Sequence, residues 1–176
     1  TVLNDFNYSS NDFISNLGLR SSFDFHFRNL NSVGKNDTIY TSDPQIDGMS
    51  IIKFDTSLPL SKSKNMVKET LTPKISFRIN PGNNMNDYSG SEALITTNNV
   101  FDINRLNISD DFEAGRSLTF GLDYKFDKIE INQSKNDKDK YLEFRLATVI
   151  RDQNENDIPN SSTINKKNSN LFGSIV

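Results

Sequence analysis

The chain has 176 residues, enough for one or at most two ordinary soluble domains, and only 34% of them are hydrophobic, a low share for such a domain. A net charge of −3 without a basic cluster argues against nucleic-acid binding, and the lack of cysteine excludes disulfides and cysteine-ligated metals. Every apolar run is far shorter than the roughly 18 residues of a membrane helix, so the chain could enter a membrane only as strands.

Alternation with a period of two residues is the main signal along the chain. It begins with a short case at 23–27, where three phenylalanines alternate with Asp24 and His26, and continues at 50–60, 67–79, 116–126 and 141–151. We call the alternate positions that hold apolar side chains the apolar parity of a segment, and the positions between them its polar parity. The apolar parity contains Ile52, Phe54, Leu58 and Leu60, then Val67, Leu71, Pro73, Ile75, Phe77 and Ile79, then Leu118, Phe120, Leu122, Tyr124 and Phe126, and last Leu142, Phe144, Leu146 and Ile150. Such alternation predicts strands with one apolar and one polar face.

The length of these segments separates two kinds of all-β protein. Soluble strands average about 5–6 residues, whereas a tilted strand that crosses a bilayer needs about 9–11. The long segments here match the second value and favour a membrane barrel. A soluble β-sandwich alternates in the same way and stays open as an alternative.

The connections between the segments alternate in length. Short polar turns are predicted at 61–65 and 134–139, and long polar loops at 32–48, 81–114 and 152–169. Outer-membrane barrels have short periplasmic turns and longer external loops. Ile129 and Ile131 depart from the register of the preceding strand, which predicts a bulge or strand end there.

The predicted fold class is therefore an all-β, antiparallel, up-and-down transmembrane β-barrel segment of about six strands. The chain opens at Thr1 and ends within the apolar stretch 171–176. We expect residues 1–176 to be part of one barrel domain that is incomplete at both ends.

Several stretches in order resemble the central barrel of the LptD family. They are Asn99-Val-Phe-Asp-Ile-Asn-Arg105, Asp110-Asp-Phe-Glu-Ala-Gly115 and Leu118-Thr-Phe-Gly-Leu122, preceded by Leu71-Thr-Pro-Lys74 and followed by Ser169-Asn-Leu-Phe-Gly173. The positions that match the family motifs are Pro73, Asn99, Phe101, Asn104, Arg105, Asp110, Glu113, Gly115, Gly121, Arg151 and Gly173. The chain departs from the pattern where Asp111 replaces an arginine, Leu106 replaces a phenylalanine and Ala147-Thr148 replaces Gly-Gln.

This resemblance implies a function in the outer membrane of a Gram-negative bacterium, where LptD assembles lipopolysaccharide into the outer leaflet. It also implies four partners: lipopolysaccharide, an LptE-like plug lipoprotein, outer-membrane lipid and an LptA-like periplasmic bridge that acts through a missing N-terminal domain. The alternatives are another outer-membrane barrel, such as a porin or receptor, and a soluble β-sandwich binding module.

Few side chains in the sequence suggest chemistry. His26 is the only histidine and has no cysteine or paired acid beside it, so it is a poor ligand or catalyst. The acidic group Asp110, Asp111 and Glu113 lacks the spacing of a calcium loop, and we expect it instead to form salt bridges with Arg105 or Arg116. We predict no enzyme, no catalytic residue, no cofactor and no metal site.

Two structural expectations complete the interpretation. The stretch 99–115 mixes polar and apolar residues densely, and we expect it to fold back near the barrel lumen. The polar parity of the strands should line a wet lumen through Lys53, Lys74, Arg78, Asp123, Lys125, Glu143 and Arg145.

Overall fold

A computed structural model describes residues 1–35, 42–82, 94–106, 112–128 and 141–176. Within these ranges the chain is all-β, as predicted, and contains no α-helix. The strands are β1 (Val2–Ser9), β2 (Phe13–Ile14), β3 (Arg20–Ser32), β4 (Gln45–Ser57), β5 (Leu60–Lys64), β6 (Val67–Asn80), β7 (Gly115–Lys128), β8 (Tyr141–Arg151) and β9 (Phe172–Ile175), with a 3-10 turn at Asn160–Ser162. No helix in the described part is long and apolar enough to cross a membrane.

The strands form one antiparallel sheet in the order β1-β3-β4-β6-β7-β8-β9. Neighbours in the sheet follow one another along the chain, which confirms the predicted up-and-down connectivity. The short strands extend this path, because β2 pairs with β3, and β5 pairs with β6 beyond the end of β4. The described sheet is open, with β1 and β9 at its edges, so it is not a closed barrel.

The four long predicted strands are present, but three details of the prediction are wrong. The loop predicted at 32–48 ends too late, because β4 already begins at Gln45 and pairs with β3. The described sheet has nine strands and not about six. The segment 61–65 is not a turn, because Leu60–Lys64 pairs with β6 as a strand. The turn is the dipeptide Asn65-Met66, whose φ values of 51° and 61° suit the tight turn that matches the twist of a hairpin. The predicted turn at 134–139 and the break at Ile129 and Ile131 lie outside the described residues.

Pro73 lies within a long strand although it cannot donate a backbone hydrogen bond. Its carbonyl accepts a 3.1 Å hydrogen bond from Leu58 N, at the point where β4 has ended and β5 has not yet begun. The N–H that proline lacks would point to this same side, where the ladder is interrupted. The break between β4 and β5 therefore makes room for Pro73.

Register divides the side chains of the sheet between two faces, as the alternation predicted. One row across five strands joins Phe23, Phe54, Phe77, Leu118 and Ile150, and parallel rows hold Ile75 with Phe120 and Leu71 with Tyr124 and Phe144. We call this side the apolar face. The opposite side, the polar face, carries rows such as Lys53, Arg78, Ser117 and Arg151.

The core lies on the polar face and not on the apolar one. Residues 94–106, 112–114 and 152–170 form a layer over the polar face, which we call the loop layer. Its apolar side chains pack with those of β8 in one cluster and with those of β4 in a second. The first cluster joins Ile95, Val100, Leu106, Ile158 and Ile164 to Ala147 and Val149, and the second joins Phe112 to Met49 and Ile51. The described residues of the stretch 99–115, which we expected near a barrel lumen, lie on the polar face of this open sheet.

Candidate functional site on the covered polar face

The centre of the covered face is a buried group of four charged residues, Arg78, Arg105, Arg151 and Glu113, which we call the Glu113 cluster. Arg105 donates to both carboxylate oxygens of Glu113, with 2.6 Å between Nε and Oε2. Arg78 Nη1 lies 3.3 Å from Oε2, and Arg151 Nη1 donates to Oε1. All four residues are less than 5% exposed, so one buried carboxylate binds three buried guanidinium groups.

The sheet and the loop layer each contribute half of this cluster. Arg78 belongs to β6 and Arg151 to β8, and register aligns both with Ser117 of β7. Arg105 and Glu113 come from the loop layer. The cluster therefore joins two strands to the loops through charge-assisted hydrogen bonds, which are roughly twice as strong as neutral ones.

Other hydrogen bonds use further donors of the arginines, although Arg151 Nε has no hydrogen-bond partner among the described residues. Arg105 donates to Thr119 Oγ1 at 3.1 Å and to Ser117 Oγ at 3.0 Å. Arg78 donates to the carbonyl of Asp102, and Arg151 donates to the carbonyl of Ala114. The contacts thus fix both the side chains and the backbone of the loop layer against the sheet.

Glu113 remains ionised in this environment. Burial opposes its negative charge, but the charges of Arg105, Arg78 and Arg151 and the hydrogen bond from Arg105 outweigh burial and hold the pKa of Glu113 well below its usual range. A carboxylate held in this way neither donates nor accepts a proton near neutral pH. Its chemistry is that of an anchor for the loops.

An aromatic contact fastens a second part of the loop layer. Phe101 lies directly over Gly121 of β7, and a Cβ atom at Gly121 would lie 2.5 Å from Phe101 Cζ and 2.8 Å from Cε2. The ring can approach the backbone so closely only because residue 121 has no side chain. Lys74 Nζ lies 5.6 Å from the centroid of the same ring, within the range of a cation–π interaction.

Five of the eleven positions that carry the predicted resemblance meet at this interface between sheet and loops. Arg105, Glu113 and Arg151 share the cluster, and Phe101 meets Gly121. Asn99 closes a turn of the loop layer, because its Oδ1 accepts from Thr96 N at 2.8 Å and its Nδ2 donates to the carbonyl of Leu94 at 3.0 Å.

The other motif positions lie around or away from this interface. Gly115 has a φ of +78°, and a Cβ there would collide with Glu155 Oε1, so this position requires glycine. Asn104 lies in the loop layer between Phe101 and Arg105. Pro73 and Gly173 lie in β6 and β9, away from the cluster. Asp110 lies outside the described residues, as does Asp111.

The predicted salt bridge between Glu113 and Arg105 is confirmed, whereas Arg116 pairs with Asp152 at 2.8 Å on the exposed surface. The sequence did not reveal that Arg78 belongs to the site. The available signal was an arginine on the polar parity of a strand, between Phe77 and Ile79, but its partners come from distant parts of the chain.

Only part of the polar face is exposed to solvent, whereas the sequence predicted that all of it would line a wet lumen. Lys53 is 7% exposed and Arg78 is 3% exposed, so these two residues are covered and do not line open water. Elsewhere on the same face, Lys74 pairs with Asp123, and Glu143 accepts a hydrogen bond from Arg145 Nε at 2.6 Å. His26 also lies on this face, where its ring packs against Phe112 with 4.4 Å between centroids.

No group of three or more histidine, aspartate or glutamate side chains that could hold a metal occurs in the described ranges. Comparison with known proteins found no matching family model, no matching curated protein and no matching solved structure.

Proposed function

We propose that this chain forms part of the wall of an LptD-like outer-membrane β-barrel that inserts lipopolysaccharide into the outer leaflet of a Gram-negative bacterium. In this proposal the apolar face contacts membrane lipid, and the polar face, with its loop layer, faces the lumen. The observation that carries it is the inverted burial of the sheet, whose core covers the polar face and whose apolar face is exposed.

The apolar face exposes large apolar side chains next to one another on neighbouring strands, which is unusual for a soluble surface. Large apolar side chains are exposed on every strand from β6 to β8, including Ile75 and Leu146 at 45% each and Phe77 at 41%. Monomeric soluble proteins rarely expose contiguous apolar patches beyond a few hundred Å². Lipid would cover this face without any further protein layer.

The height of the apolar band also supports a bilayer. On β7 the five apolar positions from Leu118 to Phe126 are bounded by Arg116 and Lys128 on the same parity. Eight residue steps of about 3.4 Å at a strand tilt of about 40° give a height of about 21 Å, close to the ~25 Å band of outer-membrane barrels. Charged residues thus begin on both sides where the hydrocarbon would end.

The choice of LptD among barrels rests on the motif residues. Five of the motif residues contact one another at the covered face: Arg105, Glu113 and Arg151 form ion pairs, and Phe101 packs on Gly121. Their shared role at one interface supports reading the motifs as one functional unit. The partners implied are lipopolysaccharide, an LptE-like plug lipoprotein and an LptA-like bridge, in the setting of outer-membrane lipid.

Site-specific photocrosslinking in living cells tests the proposal. A photoreactive amino acid at Asp123 or Lys125, on the uncovered part of the polar face, should form adducts that react with antibody to lipopolysaccharide. The same group at Phe120 should crosslink mainly phospholipid. Absence of lipopolysaccharide adducts at both polar positions, with ion conductance through the purified protein, would favour a porin. Partition into the aqueous phase with detergent would favour a soluble β-sandwich module.

A further inference from the structure

One end of the apolar face carries two lysines at the hairpin of β5 and β6. Leu60 pairs with Leu71, Lys62 with Glu69 and Lys64 with Val67, so the lysines continue the apolar parity of β5. Glu69 in turn pairs with Phe126 of β7. The lysines therefore stand on the apolar face at its border with the short-turn end of the sheet.

A surface cavity of about 290 Å³ lies at this border. Its walls are Lys62, Lys64, Asn65, Val67, Glu69 and Phe126. Both lysines are exposed. Two ammonium groups face one carboxylate, so the walls of the cavity carry a charge of about +1 beside an aromatic ring and a valine, and Lys128 lies next to Val67 in the register.

We propose that this cavity binds the phosphate of an anionic phospholipid headgroup, with the acyl chains along Leu71, Tyr124 and Phe126. The inference rests on the proposed membrane wall, because it needs lipid against the apolar face. The +1 excess complements the single charge of a phosphodiester, and the apolar wall complements the adjoining hydrocarbon. Lysines near a membrane surface attract anionic lipids, and they interact best at the level of the headgroups.

Electron paramagnetic resonance of spin-labelled lipids measures such selectivity directly. The protein that contains this chain is reconstituted in phosphatidylcholine vesicles with traces of spin-labelled phosphatidylglycerol or phosphatidylcholine, and the motionally restricted fraction is compared. The wild type should prefer phosphatidylglycerol. The double variant Lys62→Gln/Lys64→Gln should reduce this preference at least about fivefold, the factor that corresponds to about 1 kcal/mol for a single lysine–headgroup contact.

Matched variants test whether the lipid preference depends on this cavity or on the overall charge of the protein. Lys68→Gln/Lys125→Gln removes the same charge from the opposite parity and should keep the preference, whereas Glu69→Gln should strengthen it. Inorganic phosphate at constant ionic strength should not compete. A double variant that keeps the wild-type preference, or competition by phosphate, would overturn the headgroup site. A wild type that restricts neither lipid would instead overturn the membrane wall itself.

Discussion

The two faces of the sheet reverse the usual relation between hydrophobicity and burial. The apolar face contains the alternating apolar side chains of every long strand and remains exposed, with Phe120 and Phe144 at 38% each. The polar face contains buried Arg78 and Arg151, because loops bring apolar side chains and one carboxylate to cover them. The difference shows that the loops, and not the strands alone, supply the protein interior, while the apolar side of the strands remains exposed.

Removing the anchor of the covered face should have the largest effect. In Glu113→Gln, three buried guanidinium groups lose their common carboxylate, and breaking a buried ion pair costs about 3–5 kcal/mol. We expect the free energy of unfolding, measured by urea titration in detergent micelles, to fall by that amount. The control Arg116→Gln breaks an exposed pair with Asp152 and should cost at most about 1 kcal/mol. Equal losses in both variants would contradict the assigned role.

A charge on the exposed face tests whether that face meets lipid. Phe120→Lys and Phe144→Lys should hinder insertion, since a lysine at mid-bilayer costs about 2–4 kcal/mol. Lys125→Glu changes the polar face and should be tolerated. Folding into lipid vesicles, followed by the gel mobility shift of heated and unheated samples, measures this. If all three variants inserted equally well, the assignment of the faces would be wrong.

A smaller loss of stability should follow when a substitution adds a methyl group between the sheet and the loop layer. Gly121→Ala would force Phe101 away from β7, and overpacking of this kind costs about 1–3 kcal/mol. Gly173→Ala is the matched control, because the nearest side-chain atom would be Leu146 Cδ2 at 3.4 Å. Thermal unfolding should separate the two variants, and similar midpoints would argue against a tight contact at Phe101.

Near neutral pH, a change of pH should not alter the difference in stability between the wild type and Glu113→Gln. Only in acid should the covered face become weaker. The pKa of Glu113 is lowered on folding, so its contribution is complete above its ordinary value of about 4.5 and is lost as pH falls through the lower folded value. Stability curves of the wild type and Glu113→Gln should therefore converge below pH 4.5. A gap of constant size down to strong acid would exclude this linkage.

The sequence predicted the long strands well because alternation is a local property. Each of β6, β7 and β8 extends over its predicted segment, whereas β4 begins before its segment of 50–60 and ends at Ser57. Register confirms the two faces. The strand β5 was missed because its Ser-Lys-Ser-Lys sequence resembles a turn, and only pairing with β6 keeps it extended. The first strand was missed because Asn4 interrupts its apolar parity, and it pairs with β3 from some twenty residues away.

The Glu113 cluster was only half predictable. Glu113 and Arg105 lie eight residues apart in one loop, so their pairing could be expected from opposite charge. Arg78 and Arg151 join them because the register of β6, β7 and β8 places both arginines on either side of Ser117. Register of this kind depends on pairing between segments far apart in the chain, and single-sequence periodicity does not encode it.

The sequence by itself determined which residues share a face, because successive side chains of an extended backbone point to opposite sides. Only the tertiary structure decided which face is covered. That choice depends on where the loop layer folds, and the loop layer is held by buried charges and by the contact of Phe101 with Gly121, whose partners meet only after the strands have paired.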